Sequence, residues 1–312
     1  MCFGYDGEKA LSESLKRSGV DRRSVLRGAL GAGTLGVLTG ATSLAPASAA
    51  ETYRRIDPAT ISIQMYSLRA ALAGEPGFDV MCQRLADMGY QQVELAGYYG
   101  RTAADLHTFM ESVGLKTTSS HEGISSSDAA LYTKIANALT LQQRYVVVPY
   151  LNSGNLSDWQ MWADRMNVEA RVARRAGLFY GYHNHAHEFT TNLGGGVTPW
   201  QVLMERLDPK LVHLEVDLYW VTRAGIELGK KDAVGFGIDV IDAAPMPVRQ
   251  YHVKDRDIQT GDMCDLGVGH INFGRYFRNH KVAQYIVEND TPDITPTRTA
   301  RVGFDYLKSL RY

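Results

Sequence analysis

A short run of β-prone apolar residues, then a segment with helical spacing, then a glycine: this unit recurs about eight times between residues 60 and 310. Few folds accept such a rhythm. The predicted strands are Thr60–Tyr66, Gln92–Leu95, Lys116–Ser120, Tyr145–Pro149, the run entered at Leu178-Phe179-Tyr180, Val212–Val216, Arg249–Val253 and Gln284–Val287. Between them the spacing predicts helices. Met81, Leu85 and Met88 share a face over Phe78–Met88, with Gly89 as the stop. Trp159, Trp162, Met166, Ala170 and Ala173 form a stripe over Leu156–Ala176, read as helix-to-barrel packing. Further helices are expected at Thr102–Val113, Ser127–Leu139, Trp200–Leu207, Phe273–His280 and Thr297–Leu310, with one or two short ones in Thr222–Ala244.

Strands alternating with helices imply parallel pairing with crossover connections. Eight units in one stretch favour an α/β (β/α)8 TIM barrel over an open doubly wound sheet. No GxGxxG or Walker motif follows the first strand, which removes the usual nucleotide-binding reason for an open sheet. No Pro- or Ser-rich linker interrupts residues 55–312, so one domain is expected.

The N-terminus reads differently. Asp21-Arg22-Arg23-Ser24-Val25-Leu26-Arg27 is a twin-arginine pattern, a small and apolar run extends from Ala29 to Leu44, and Pro46-Ala47-Ser48-Ala49-Ala50 offers an A-x-A cleavage site. Residues 1–49 therefore resemble a Tat-type export signal, leaving 50–312 as the barrel and a periplasmic or secreted bacterial product with no stable membrane anchor after cleavage. Gly31, Gly33, Gly36 and Gly40 make the alternative, an N-terminal membrane helix, a poor one. Removing 1–49 takes away six Lys/Arg and four Asp/Glu and moves the net charge from −1 to −3. That balance argues against a nucleic-acid partner. Cys2, Cys82 and Cys264 form neither a CxxC pair nor a disulfide framework.

In a barrel of this kind, functional groups gather at the C-terminal ends of the strands. Those ends are rich in acids and imidazoles. Strand two carries Glu94, strand three His121-Glu122, and strand five the stretch YGYHNHAHEF with His183, His185, His187 and Glu188. Strand six carries Glu215 and Asp217, strand seven His252, Lys254, Asp255 and Asp257, and strand eight Glu288 and Asp290. Unpaired, each such group costs solvation in a cleft; a shared cation removes that cost. Plainer roles exist for each. His252 can be a core histidine bonded to a backbone carbonyl, Asp217 a helix cap, Glu288 a partner of Arg298 or Arg301, and Glu215 a residue one layer deeper or one bound to Arg249. Lys254 can be a surface lysine, but two positions after His252 it faces inward, where contact with a substrate oxygen is expected.

The motifs SIQMYSLR (62–69), QVELAGYYG (92–100), GYHNHAHEF (181–189), EVDLYW (215–220), YHVKDRD (251–257), LGVGHINF (266–273) and YIVEND (285–290), in this order and at strand ends, resemble the xylose isomerase-like TIM barrel superfamily in its sugar phosphate isomerase/epimerase branch. The resemblance covers nearly all of the chain after the signal. It implies one divalent metal at the barrel mouth, with ligands Asp217, His252 and Glu288 from strands six to eight. The family's strand-five glutamate is replaced by His183, with Glu188 five residues on, so either can complete the set; His183 stands at the position. Two imidazoles with two carboxylates point to Mn, Zn or Fe rather than Mg.

A sugar isomerase or epimerase of this type abstracts a proton beside a carbonyl. Glu188, His185 and His121, in that order, are the candidate bases. Export points to an unphosphorylated sugar or keto-sugar as substrate. Alternatives are a lyase or hydrolase acting on 3-keto-glycosides at the same metal site, a DNA-repair endonuclease, disfavoured by the charge, and a non-catalytic periplasmic sugar binder. The oligomeric state is open, a homo-oligomer included.

Overall fold

A computed structural model describes residues 53–312; the stretch read as an export signal lies outside the described residues. The compact unit is Arg55–Tyr312. Its strands are β1 (Ile61–Ile63), β2 (Gln92–Leu95), β3 (Lys116–His121), β4 (Tyr145–Val148), β5 (Phe179–His183), β6 (Val212–Asp217), β7 (Val248–Val253) and β8 (Gln284–Val287). They pair in parallel in one eight-stranded sheet in the order β1-β8-β7-β6-β5-β4-β3-β2. A parallel bridge from Gln64 to Glu94 joins β1 to β2 and nearly closes the cylinder. The expected TIM barrel is therefore the observed one.

Several crossover helices begin where the chain offers a side-chain acceptor. Ser127 accepts from the Ala130 amide before helix Asp128–Thr140, and Thr198 forms a reciprocal cap with Gln201 before helix Pro199–Arg206. The turn after helix Phe78–Met88 needs glycine twice over. Gly89 has φ +105°, and a Cβ there would lie 2.8 Å from the Phe304 ring. The Trp stripe packs as expected, with Trp159 fully buried against the barrel.

Four features were not expected. Met65–Leu68 is a 3₁₀ turn rather than the end of β1, and Arg69–Ala73 is a short helix. His187–Thr190 is a single helical turn inside the histidine-rich stretch. Asp255–Arg256 and Met263–Cys264 pair as a small antiparallel ribbon above β7. No helix among the described residues is long and apolar enough to cross a membrane.

The barrel interior differs from the usual aliphatic filling. Alternate residues of several strands point inward, and many are polar: Gln92 and Glu94, His213-Glu215-Asp217 by twos, and Gln250-His252-Lys254 by twos. The lower layer is a network of amides. The Gln250 Nε2 donates to Gln284 Oε1 at 2.8 Å, the Gln284 Nε2 donates to Gln92 Oε1 at 2.8 Å, and His213 Nε2 pairs with Gln250 Oε1 at 2.8 Å. Because these buried groups satisfy one another, the floor beneath the mouth is held in one arrangement.

Candidate metal centre at the barrel mouth

Parallel register brings the functional residues level. His183 lies beside Glu215, and Asp217 beside His252. The next layer up from the amide floor is a ring of imidazoles and carboxylates. Glu215 Oε1 lies 2.8 Å from His121 Nε2, 3.2 Å from His183 Nδ1 and 3.0 Å from His252 Nε2. Glu94 Oε1 lies 2.7 Å from His252 Nε2 and 3.1 Å from His121 Nε2. Gln64 and Ser119 donate to the two oxygens of Glu94 and fix its plane. On the outer side, Glu288 Oε2 lies 2.6 Å from His252 Nδ1 and 2.7 Å from Lys254 Nζ. The Lys254 ammonium also lies 3.2 Å from Asp217 Oδ2 and 3.2 Å from Asp290 Oδ2.

Asp217 serves both readings of it. Its Oδ1 accepts from the Trp220 amide at 2.9 Å and caps helix Leu218–Glu227, while Oδ2 faces the site. His252 contacts carboxylates rather than a backbone carbonyl, and Glu288 pairs with His252 and Lys254 rather than with Arg298 or Arg301. Lys254 is 1% exposed, so it is a buried cation and not a surface lysine. Glu215 lies buried in the ring beneath the cavity, as one of its two expected roles had it, but not on Arg249. It binds three histidines, while Arg249 lies over the Phe179 ring 4.1 Å away.

The charges follow from burial and neighbours. Burial opposes a charge on His252, but Glu215, Glu288 and Glu94 outweigh it and hold the imidazole well above its ordinary range. Burial likewise opposes the Lys254 ammonium, and Asp217, Glu288 and Asp290 keep it charged. Burial would raise Glu215 and Glu288, yet the histidines around the first, and Lys254 with His252 beside the second, hold both well below the carboxylate range. Burial lifts Asp217 to about 6. Burial and the neighbouring His252 depress His183 to about 3, and burial with His183 holds His185 far below its usual value, so both rings are neutral.

A cavity of about 460 Å³ opens above this ring, with His121, His183, His185, Lys254 and Glu288 in its wall and Tyr66 and Tyr150 at its rim. Glu188, ranked first among the candidate bases, is not in that wall. It is fully buried, accepts from Tyr182 Oη at 2.7 Å and from the His185 amide at 2.8 Å, and so anchors the turn that carries His185. Its oxygens are spent on the fold, and the base ranking changes accordingly. His185 lies beyond the end of β5, so it reaches the cavity by this turn and not by strand alternation with His183.

Among the described residues, two sets of four donors meet the distance requirement of a single ion. One is His183, Asp217, His252 and Glu288, the set singled out from the sequence; the other is His121, His183, Glu215 and His252. Glu215 Oε2 and Asp217 Oδ2 are buried without a hydrogen-bond partner, although Lys254 lies near the second. Orphaned carboxylate oxygens beside imidazole nitrogens are what a divalent cation satisfies, so the residues present fit one. Glu94 and Glu215 were under-read from the sequence. The signal was there in the alternation of polar residues along strands otherwise apolar.

No protein-family model matches the sequence, and no curated protein matches it. Solved structures do. A sugar phosphate isomerase/epimerase from Parabacteroides distasonis is similar over 84% of this chain and 96% of its own, at 22% identity and TM-score 0.66. The IolI protein with a bound zinc atom is similar over 79% and 96%, at 13% identity and TM-score 0.56. A family 2 AP endonuclease from Brucella melitensis is similar over 77% and 95%, at 13% identity and TM-score 0.56. The shared property is the fold. At these identities the likeness establishes a TIM barrel, and function rests on the site.

Proposed function

We propose that this protein is a divalent-metal-dependent sugar isomerase or epimerase, acting by proton abstraction next to a carbonyl on an unphosphorylated sugar or keto-sugar derivative. One observation carries the reading: imidazoles and carboxylates from β2, β3, β5, β6, β7 and the end of β8 converge beneath a single cavity. His183 and His252 would hold the ion, together with donors from one of the two sets above. A bound divalent cation supplies Lewis acidity, stabilising negative charge on oxygen when the neighbouring C–H is lost.

The protein's own groups supply the rest. Lys254, kept protonated by its three carboxylates, donates to the developing oxyanion from the cavity wall. His185 is neutral and stands in the same wall, so it is the group placed to take the proton. Returned to the adjacent carbon, the proton isomerises the sugar; returned to the opposite face, it epimerises it. Tyr66 and Tyr150, about half exposed, offer ring faces to the C–H side of a sugar. Glu288 and Asp290 in the wall would repel a phosphate, which supports a neutral substrate.

One observation favours a second reading, a non-catalytic sugar-binding protein. Lys254 already neutralises part of the acidic mouth, so the site carries an internal counter-charge without an ion. Metal analysis of the purified protein, then incubation of keto-sugars with it in deuterated water, separates the two. Stoichiometric metal with deuterium entering beside the carbonyl is expected; sugar binding with neither would leave the binder.

A further inference from the structure

The two donor sets share His183 and His252, and opposite nitrogens of each ring face the carboxylates of the two sets. Inward, His183 Nδ1 and His252 Nε2 face Glu215; outward, His183 Nε2 lies 3.7 Å from Asp217 Oδ2 and His252 Nδ1 lies 2.6 Å from Glu288 Oε2. The rings therefore form a partition with a candidate donor set on either side. Which side holds the ion sets its ligands, the number of coordinating nitrogens and the role of His121.

We propose that the divalent cation is held on the inner side, by His121, His183, His252 and Glu215, with Asp217 and Glu288 taking the protons on the outward nitrogens. This rests on the metal-dependent reading above and departs from the set that the sequence resemblance implies.

Three observations carry it. The inner donors already surround one point: three imidazole nitrogens lie 2.8–3.2 Å from a single oxygen of Glu215, and Glu94 brings a second carboxylate to 2.7 Å of His252. The other oxygen of Glu215, wholly buried, has no hydrogen-bond partner. Among the described residues, no lysine or arginine forms an ion pair with Glu94 or Glu215.

The outer side is already occupied by charge. Its two carboxylate donors, Asp217 Oδ2 and Glu288 Oε2, are the atoms that the Lys254 ammonium contacts. A doubly charged ion bound to the same two oxygens would face that ammonium at close range, and the repulsion between them grows as water is excluded. The second oxygen of Asp217 caps helix Leu218–Glu227, and the Asp217 amide donates to Asn184 Oδ1 at 3.1 Å, so this residue has little freedom to move toward an ion.

With the ion inside, the outer carboxylates find a function. A metal-bound histidine characteristically donates its other N–H to a carboxylate, which fixes the ring. His252 with Glu288 has that geometry, and Asp217 stands in line for His183. Three imidazoles and a carboxylate select zinc, cobalt, nickel or iron over magnesium and calcium. His121 and His183 border the cavity, so the inner set adjoins the space a substrate would fill.

The test counts nitrogens. The full-length protein is loaded with one equivalent of Cu(II), and its electron paramagnetic resonance spectrum is read for coordinated imidazole. The inner set predicts three nitrogens; the outer predicts two. In parallel, Zn(II) affinity is measured by competition with a chromophoric chelator for the parent and for His121→Ala and Glu215→Gln, with circular dichroism as a check of folding. A loss of more than 100-fold in each variant is expected. Two nitrogens, with His121→Ala binding zinc as the parent does, would overturn the inner assignment and leave the metal-dependent reading intact. No stoichiometric binding of either metal would remove both. If His121→Ala does not fold, the nitrogen count on the parent protein still decides.

Discussion

Lys254 and Glu288 form a buried ion pair of 2.7 Å at the mouth of the barrel, and neither side chain is more than 5% exposed. The same carboxylate accepts from His252 at 2.6 Å, so Glu288 balances two cations. Removing one member of a buried charged pair costs about 3–5 kcal/mol, because the partner is left uncompensated. Glu288→Ala is therefore expected to lower the stability of the metal-free protein by that order, read from urea denaturation. Glu288→Gln keeps an acceptor for both groups and should cost less. Equal effects of the two substitutions would mean that the charge, and not the acceptor oxygen, is what the site needs.

Acid should weaken the metal-free protein through its neutral histidines. His213 lies under the ring, paired with Gln250, and burial depresses it to about 4; His183, depressed by burial and His252, falls to about 3. An unfolded histidine titrates near 6.5. A folded value below the unfolded one gives stability that is complete above about pH 6.5 and lost as pH falls toward the folded value. The window for His213 runs from about pH 6.5 down to about 4 and amounts to a few kcal/mol. Asp217, raised to about 6 by burial, works in the opposite direction between about pH 6 and 4. The His213 contribution is isolated by comparing the parent with His213→Gln in denaturant titrations at stepped pH. The variant should show the flatter acid limb, and parallel limbs would refute the assignment.

Much of this fold was legible because its periodicities are unambiguous. Gln92–Leu95, Gln284–Val287 and helix Phe78–Met88 have the bounds expected from pattern alone. Helix-period stripes bounded by glycine leave little choice. The single turn His187–Thr190 and the ribbon at Asp255 were not legible, since elements of two to four residues show no period. At the site, the outer donors were legible as acids and imidazoles at strand ends. Glu94 stands in the sequence as an acid without a partner, because His252 is 158 residues away and only barrel closure brings them to 2.7 Å. Glu188 was over-read for the converse reason. Its neighbours in sequence are histidines, but its partners in space are Tyr182 and a backbone amide.

The floor beneath the site should depend on a missing side chain. Gly181 pairs with His213 across β5 and β6, and a Cβ at Gly181 would lie 2.5 Å from His213 Nε2. That ring is buried and bonded to Gln250, so it cannot swing away freely. Gly181→Ala is expected to cost about 1–3 kcal/mol, as overpacking does. Adding His213→Ala should recover part of the loss, since the two residues are in contact and their effects do not add. Thermal melts of the parent, both single variants and the double variant test this. Strict additivity would show that the contact is relieved elsewhere.

Export is a separate expectation, carried by the twin-arginine pattern Arg22-Arg23 and the small-residue site at Ala47–Ala49. Expressed in a bacterium with a working twin-arginine pathway, the protein should be recovered outside the cytoplasm, with a new N-terminus near Ala50 by mass spectrometry. Arg22→Lys with Arg23→Lys should retain it inside, uncleaved. Cleavage unaffected by the lysine pair would point to another export route.

Glu188 separates an anchor from a base. As a base it would tolerate Glu188→Gln structurally and lose nearly all turnover. As an anchor it holds the turn His187–Thr190 through Tyr182 and the His185 amide, and its loss should loosen the segment that presents His185. Leaving buried donors without an acceptor costs about 1–3 kcal/mol. Glu188→Ala should therefore melt earlier, and Tyr182→Phe should share part of that loss because it removes one of the same bonds. Proton exchange into the substrate should fall in Glu188→Ala by less than in His185→Ala, since the first displaces the imidazole and the second deletes it. A Glu188→Gln variant with unchanged melting and abolished exchange would return Glu188 to the chemistry and remove His185 from it.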